Sequence, residues 1–206
     1  MANYITNLPL NNIFGITAYY KQINTKYWKT HHKGMDFVGS SNVYSVCNGT
    51  VKVIGWDADG WGRYVTVEPT GYPDIRFIFA HLEKNGVKVK VGDKVTRKTV
   101  LGIMGSTGNS TGKHLHIEMR YNNVDVDISK YLGVPNKVAS NLNSANFKID
   151  EDHADDYLKE LVGVSTSVCT DCVKLKQEIE ALKKENNEYK NILTNIKNLI
   201  NERSVK

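Results

Sequence analysis

The chain has little of what would hold together a secreted disulfide protein or anchor a membrane protein. Its 206 residues include three cysteines, Cys47, Cys169 and Cys172, which are too few and too unevenly spaced for a disulfide framework. No apolar run approaches the roughly 20 residues that a membrane helix needs. Residues 1–10 lack the basic start, the apolar stretch and the small-residue cleavage site of a signal peptide. We therefore expect synthesis in the cytoplasm without a signal peptide, and no membrane insertion.

The net charge of +5 is unevenly distributed. Residues 1–135 carry 16 lysines and arginines against 10 acidic residues, whereas residues 136–206 carry 11 against 12. A basic surface suits an anionic partner such as cell-wall teichoic acid or nucleic acid, and charge alone does not choose between them. A solvated basic surface without a partner is the alternative interpretation.

The first two-thirds of the chain read as a mainly β protein. Short segments rich in Val, Ile, Tyr and Thr alternate with turns that contain Gly, Asp and Asn, a pattern typical of antiparallel sheets. The predicted strands cover residues 43–46, 49–54, 63–68, 75–80, 87–89, 100–104 and 114–120. From residue 133 the composition shifts to Asn, Ser and Ala and then to acidic residues, which indicates a linker. We predict a catalytic domain over 1–133 and a linker over 134–167 with a possible short helix at 154–161.

Residues 168–203 have the apolar spacing of a coiled-coil helix. In this heptad Asn186 is the one polar residue of the a positions, a feature that favours two parallel strands. Acidic g positions and basic e positions would attract each other across a parallel dimer: Asp171, Glu178 and Glu185 with Lys176, Lys183 and Lys190. We predict a parallel homodimer, in which Cys172 could form an intersubunit disulfide; an amphipathic helix that folds back on the catalytic domain is the alternative.

Two short motifs carry metal-binding side chains. The run from His32 to Asp36 is a His-x-Gly-x-Asp sequence that supplies an imidazole and a carboxylate. If residues 114–120 form a strand, His114, His116 and Glu118 lie on the same face. Two imidazoles and one carboxylate, with a fourth position left for water, are typical of a catalytic zinc site.

These motifs resemble the lysostaphin and LytM type of zinc endopeptidases, which cleave bacterial cell-wall peptides. The resemblance covers roughly residues 17–127, and its most specific part is the run from Gly105 to Glu118, GSTGNSTGKHLHIE. It extends to the segments HKGMD, GTV, FAHL and VGDKV, which begin at residues 32, 49, 79 and 91. It implies an antiparallel β fold with a central zinc groove, Zn²⁺ ligands at His32, Asp36 and His116, and unliganded His81 and His114 beside the metal-bound water.

The neighbouring residues refine these assignments. His31 duplicates the first histidine, but only His32 has an aspartate four residues later. His114 is predicted to take the water proton and return it to the leaving amine, with His81 bonding the oxyanion or sharing the proton transfer. Glu118 either orients a ligand or is a solvated strand charge.

The expected function is that of a zinc metallo-endopeptidase that hydrolyses peptide cross-links of bacterial peptidoglycan. The expected partners are peptidoglycan stems and cross-bridges and a second copy of the chain, with no nucleic acid. A phage endolysin is the predicted setting; the alternatives are a virion tail-associated wall hydrolase and an inactive wall-binding or activator module of the same fold.

Overall fold

A computed structural model describes residues 3–24, 26, 30–163, 186 and 188–190. The chain divides into two compact units, residues 1–161 and 162–206. In the second unit, Asn186 and residues 188–190 are helical. The remainder of the predicted coiled coil, with Cys169 and Cys172, lies outside the described residues. No helix in the described part of the chain is long and apolar enough to cross a membrane.

The first unit is built from short strands and two short helices. The strands are β1 (Tyr4–Ile5), β2 (Ile13–Ala18), β3 (Met35–Val38), β4 (Asn42–Tyr44), β5 (Gly49–Asp57), β6 (Gly62–Pro69), β7 (Ile75–Leu82), β8 (Lys94–Val95), β9 (Val100–Ile103), β10 (Leu115–Tyr121), β11 (Val124–Val126), β12 (Ala139–Asn143) and β13 (Ile149–Asp150). The helices are α1 (Ile128–Leu132) and α2 (Asp156–Leu161). Two 3₁₀ turns, Ser144–Asn146 and Glu151–His153, lie between β12 and α2.

One large antiparallel sheet forms the framework of the site. Its strand order is β12-β2-β3-β10-β7-β6-β5-β8, and β11 pairs with β10 outside this path. Every pair in it is antiparallel, so the prediction of a mainly β antiparallel fold is confirmed. Two small pairs, β1 with β13 and β4 with β9, complete the unit.

Strand β10 is buried on both faces, and its two faces have different chemistry. Leu115, Ile117 and Met119 are fully buried apolar side chains. The alternate residues His116 and Glu118 are also buried, at 7% and 2% exposure. Because side chains of a strand alternate, one face of β10 contributes to the hydrophobic core and the other to a polar site.

Two of the predicted segments, one strand and the linker, differ from the structure. Residues 87–89 are not a strand, although Lys88 N donates to Leu101 O at 2.9 Å. The predicted linker over 134–167 is instead folded into the first unit as far as residue 161, because β12 pairs with β2 and β13 pairs with β1. Leu158 of α2 is fully buried and Arg97 forms an ion pair with Asp155. The helix predicted at 154–161 is confirmed as α2.

The linker prediction failed because composition reports only local preference. Residues 139–143, ASNLN, have little apolar alternation of their own. Their partners in β2 lie more than 120 residues earlier in the chain, with Ala139 opposite Ile16 and Leu142 opposite Phe14. Pairing over such a distance depends on tertiary packing, which no window of neighbouring residues reveals.

Candidate metal centre

The register between β3 and β10 brings two of the predicted ligands together. His116 and Asp36 are direct cross-strand partners, and paired residues in an antiparallel sheet point to the same face. His32 precedes β3. A backbone hydrogen bond holds it in place, since its N–H donates to Gln22 O at 2.9 Å. His32 is 1% exposed, so its imidazole is fixed inside the fold.

The glycine between His32 and Asp36 is required by close backbone approach. A Cβ atom at Gly34 would lie 2.2 Å from the carbonyl oxygen of Ile117 and 3.0 Å from Cγ of Glu118. Any side chain at this position would therefore push the ligand-bearing segment away from β10. The motif glycine serves this contact with the strand that carries His116.

The three predicted ligand atoms form a small triangle. His32 Nε2 lies 2.9 Å from His116 Nδ1 and 3.1 Å from Asp36 Oδ1, and His116 Nδ1 lies 2.7 Å from the same oxygen. Ligand atoms about 2.0–2.1 Å from a tetrahedral zinc ion would be separated by roughly 3.3 Å. The described residues thus offer a His-Asp-His donor set that is consistent with zinc.

The far nitrogens of both imidazoles are already bonded, which fixes the nitrogen that faces the triangle. His32 Nδ1 lies 3.0 Å from Tyr19 O; a carbonyl only accepts, so Nδ1 carries the proton and Nε2 keeps its lone pair. His116 Nε2 lies 3.1 Å from Glu118 Oε1, so its Nδ1 is the nitrogen left for a metal. Such outer contacts orient metal-binding histidines in general.

Asp36 and Glu118 are held as carboxylates by their neighbours. Burial alone would raise the pKa of Asp36, but hydrogen bonds with His116 and His32 hold it well below its usual range. Burial opposes ionisation of Glu118 as well, yet contact with His116 and the charge of Arg120 lower its pKa to about 2. Burial would lower the pKa of His116, but hydrogen bonds to Asp36 and Glu118 raise it to about 9.

Glu118 is not a solvated strand charge, because only 2% of it is exposed. Its Oε1 contacts His116 Nε2, and its Oε2 accepts from Arg120 Nε at 2.8 Å. The structure therefore supports the first of the two interpretations, a residue that orients a ligand.

His81 and His114 lie beside the triangle with their rings 4.7 Å apart. Their Nδ1 atoms lie 2.8 Å from Thr107 O and Gly112 O, respectively. Nδ1 must donate to each carbonyl, so both imidazoles keep a lone pair on Nε2 when they are neutral. His114 Nε2 is 3.7 Å from Asp36 Oδ2, which places the free nitrogen next to the ligand set.

A strained backbone turns His81 toward the site. His81 has φ +59°, in the left-handed region that residues other than glycine rarely adopt. It lies in the register shift between β6 and β7, where a bulge re-aims a side chain. Burial, as the largest cause, and the nearby imidazoles of His116 and His114 together lower the pKa of His81 to about 4. His81 is therefore a neutral imidazole at neutral pH.

A groove of about 820 Å³ gives access to all of these side chains. Residues to which the sequence motifs assign no role also line it, among them Thr17, Asn109 and Thr111. His31 lies on its wall but turns away from the triangle, with Nε2 3.0 Å from Asp125. Of these two adjacent histidines, His32 is the one whose imidazole lies in the triangle.

Comparison with known proteins gives this geometry a family context. Residues 30–128 match the family model described as Peptidase family M23. The chain is 38% identical over 96 residues to the glycyl-glycine endopeptidase ALE-1 of Staphylococcus capitis, a match that covers 45% of this chain and 25% of the relative. It is 35% identical over 101 residues to the peptidoglycan DD-endopeptidase ShyB of Vibrio cholerae, covering 48% and 22%.

The fold is also similar to a solved structure. A zinc-containing peptidase from Vibrio cholerae superposes with a TM-score of 0.52 at 27% identity, over 61% of this chain and 39% of that one. The chain spans a quarter or less of the length of either curated relative. The likeness therefore concerns one domain, the segment over residues 30–128 that matches the M23 peptidase family model.

Proposed function

We propose that this chain is a zinc-dependent endopeptidase that hydrolyses peptide cross-links of bacterial peptidoglycan. The observation that carries the proposal is the triangle of His32, Asp36 and His116 at the floor of an open groove, with two further histidines beside it. The M23 match and the two relatives named as endopeptidases of glycyl-glycine bonds and of peptidoglycan support the substrate class.

In this proposal His32, Asp36 and His116 hold the metal. Bound zinc would polarise the scissile carbonyl and lower the pKa of a water molecule toward neutrality. Because two of the ligands would be neutral imidazoles and one a carboxylate, a bound zinc ion and its ligands would together keep a net positive charge, which suits this role. The chain's own task is to keep the three ligand atoms converged, which the β3–β10 register and the outer contacts of both imidazoles achieve.

His114 is the proposed general base. Its Nδ1–H is committed to Gly112 O, so Nε2 is the atom that can accept the water proton and later donate it to the leaving amine. His81 presents the same nitrogen from β7 and bonds the developing oxyanion, or shares the proton transfer. A role near developing charge also gives a reason for the strained backbone of His81.

The decisive experiment compares two kinds of variant. His32→Ala and Asp36→Ala should lose both bound zinc and hydrolysis of purified walls, because each removes a ligand. His114→Ala should keep one zinc per chain and lose hydrolysis. Metal analysis by mass spectrometry gives the zinc occupancy of each variant. The new amino termini in the released wall fragments identify the bond that is cleaved. Full zinc occupancy in both ligand variants would sink the assignment.

We also propose that residues 168–203 pair two copies of the chain in parallel. The support is the heptad pattern with Asn186 and the complementary charges of the sequence. Two catalytic heads on one dimer would gain avidity on a repetitive wall, since the second contact becomes intramolecular. Light scattering on the full chain tests this; a monomer at high micromolar concentration would contradict it.

For the biological setting we propose a phage endolysin. The basic charge of residues 1–135 suits the anionic wall of a Gram-positive host. Accumulation of the protein late in infection would support this role, whereas its presence in purified virions would favour the tail-associated hydrolase. An inactive module of the same fold is disfavoured by the complete donor set.

A further inference from the structure

Trp61 contacts the candidate metal centre through its indole N–H. Nε1 donates to Glu118 Oε1 at 2.8 Å, and the same oxygen lies 3.1 Å from His116 Nε2. A single carboxylate oxygen therefore connects the indole to the imidazole of the candidate ligand. The residues involved are 57 positions apart in sequence, so only the fold brings them together.

The carboxylate of Glu118 is fixed on its other side by Arg120. Arg120 Nε and its terminal nitrogen each lie 2.8 Å from Oε2. The Arg120 guanidinium carbon is 5.0 Å from the centre of the Trp61 ring, close enough for a cation–π contact. With both oxygens bonded, the carboxylate cannot rotate without losing charge-assisted hydrogen bonds.

The loop that carries Trp61 is itself held tightly. Trp61 N donates to Asp57 Oδ2 at 3.2 Å, and Trp61 O accepts from His81 N at 2.8 Å. Gly62 has φ +61°, and a Cβ there would lie 2.3 Å from the Thr107 backbone. The indole ring packs edge-on against Tyr64, 5.2 Å between centres. These contacts leave the indole little freedom to move away from Glu118.

We propose that Trp61 is a positioning residue for the metal centre, acting through Glu118 to keep His116 oriented with Nδ1 toward the metal. This inference rests on the ligand set of the proposed function. The indole N–H holds the Glu118 oxygen that accepts from His116 Nε2, which fixes both the ring orientation and the tautomer. Without it, Oε1 loses one of its two bonds and His116 gains rotational freedom.

A competing interpretation follows from the position of Trp61 on the groove wall. An aromatic side chain in that place could simply contact the substrate. The two roles have different consequences: a wall residue affects KM and leaves zinc affinity alone, whereas a positioning residue affects zinc affinity even when no substrate is present.

The test uses Trp61→Phe, which keeps a ring and removes the N–H. Its matched control is Trp56→Phe, because Trp56 lies on β5, is 52% exposed and does not line the groove. Zinc affinity is measured on the full chain by competition with a chromogenic chelator, and the thermal midpoint of the zinc-free protein checks folding. We expect zinc binding about 10-fold weaker in Trp61→Phe and unchanged in Trp56→Phe. KM at saturating zinc should stay the same in both.

A double-mutant cycle tests whether the effect passes through Glu118. Glu118→Ala should weaken zinc binding by itself, and Trp61→Phe should add no further loss in that background. Additive losses, or a Trp61→Phe protein with wild-type zinc affinity and a raised KM, would overturn the inference and leave the ligand set intact. A wild-type protein that binds no zinc would overturn the proposed function as well.

Discussion

Gly34→Ala is expected to damage the proposed metal centre from a position that is not one of the proposed ligands. The added Cβ would lie 2.2 Å from Ile117 O, whereas non-bonded carbon and oxygen atoms pack at about 3.5 Å. Relief requires a relative movement of roughly 1 Å between the segment carrying His32 and Asp36 and the strand carrying His116. Metal–ligand distances tolerate about 0.2 Å, so the three ligand atoms can no longer converge.

The size of the effect follows from that displacement. Loss of an outer contact to a metal ligand typically costs 10–100-fold in affinity, and Gly34→Ala moves the ligand backbone itself. We expect zinc affinity to fall by at least about 100-fold and the free energy of unfolding of the zinc-free protein to fall by about 1–3 kcal/mol from overpacking. In a unit of this length, that corresponds to a thermal midpoint lower by roughly 2–12 °C.

The assay pairs chelator competition with calorimetry on the zinc-free protein. Gly112→Ala is the control, because a Cβ at Gly112 meets no atom within 4 Å; its zinc affinity and thermal midpoint should match the wild type. Gly34→Ala protein that binds zinc within threefold of the wild type would refute the reasoning, since the segment would then accommodate a side chain without moving the ligands.

Three further predictions concern protonation, packing and reactivity. Apparent zinc affinity should rise about tenfold per pH unit between pH 6 and pH 8 in chelator competition, because His116, with its pKa raised to about 9, must release a proton to bind metal; a flat profile would contradict this. Leu158→Ala should lower the free energy of unfolding by about 2–5 kcal/mol in denaturant titrations, because the side chain is fully buried. Glu160→Ala, at an exposed position of the same helix, should leave the free energy of unfolding nearly unchanged. Equal losses of stability in the two variants would show that residues 156–161 are not packed. Cys47, in a Cys169→Ser/Cys172→Ser background, should resist Ellman's reagent at pH 8 until the chain is unfolded, because burial raises its thiol pKa to about 12.

The sequence by itself determined the short-range parts of this protein. The spacing of His32 and Asp36, and the alternation of His116 and Glu118 along one strand, are local patterns that follow from backbone geometry. The mainly antiparallel β architecture was also predictable, because turn residues at regular intervals separate segments with β propensity. Such features depend on neighbours within a few positions, which is the range that pattern reading covers.

The tertiary structure decided which of these local patterns meet. Pairing of β3 with β10 sets His116 opposite Asp36 across 80 residues of chain, and the bulge at His81 turns its imidazole into the groove. Inclusion of residues 139–161 in the first unit and the contact of Trp61 with Glu118 likewise depend on partners far away in sequence. Long-range contacts of this kind follow from how whole faces bury one another, and that information is spread over the entire domain rather than held in any one segment.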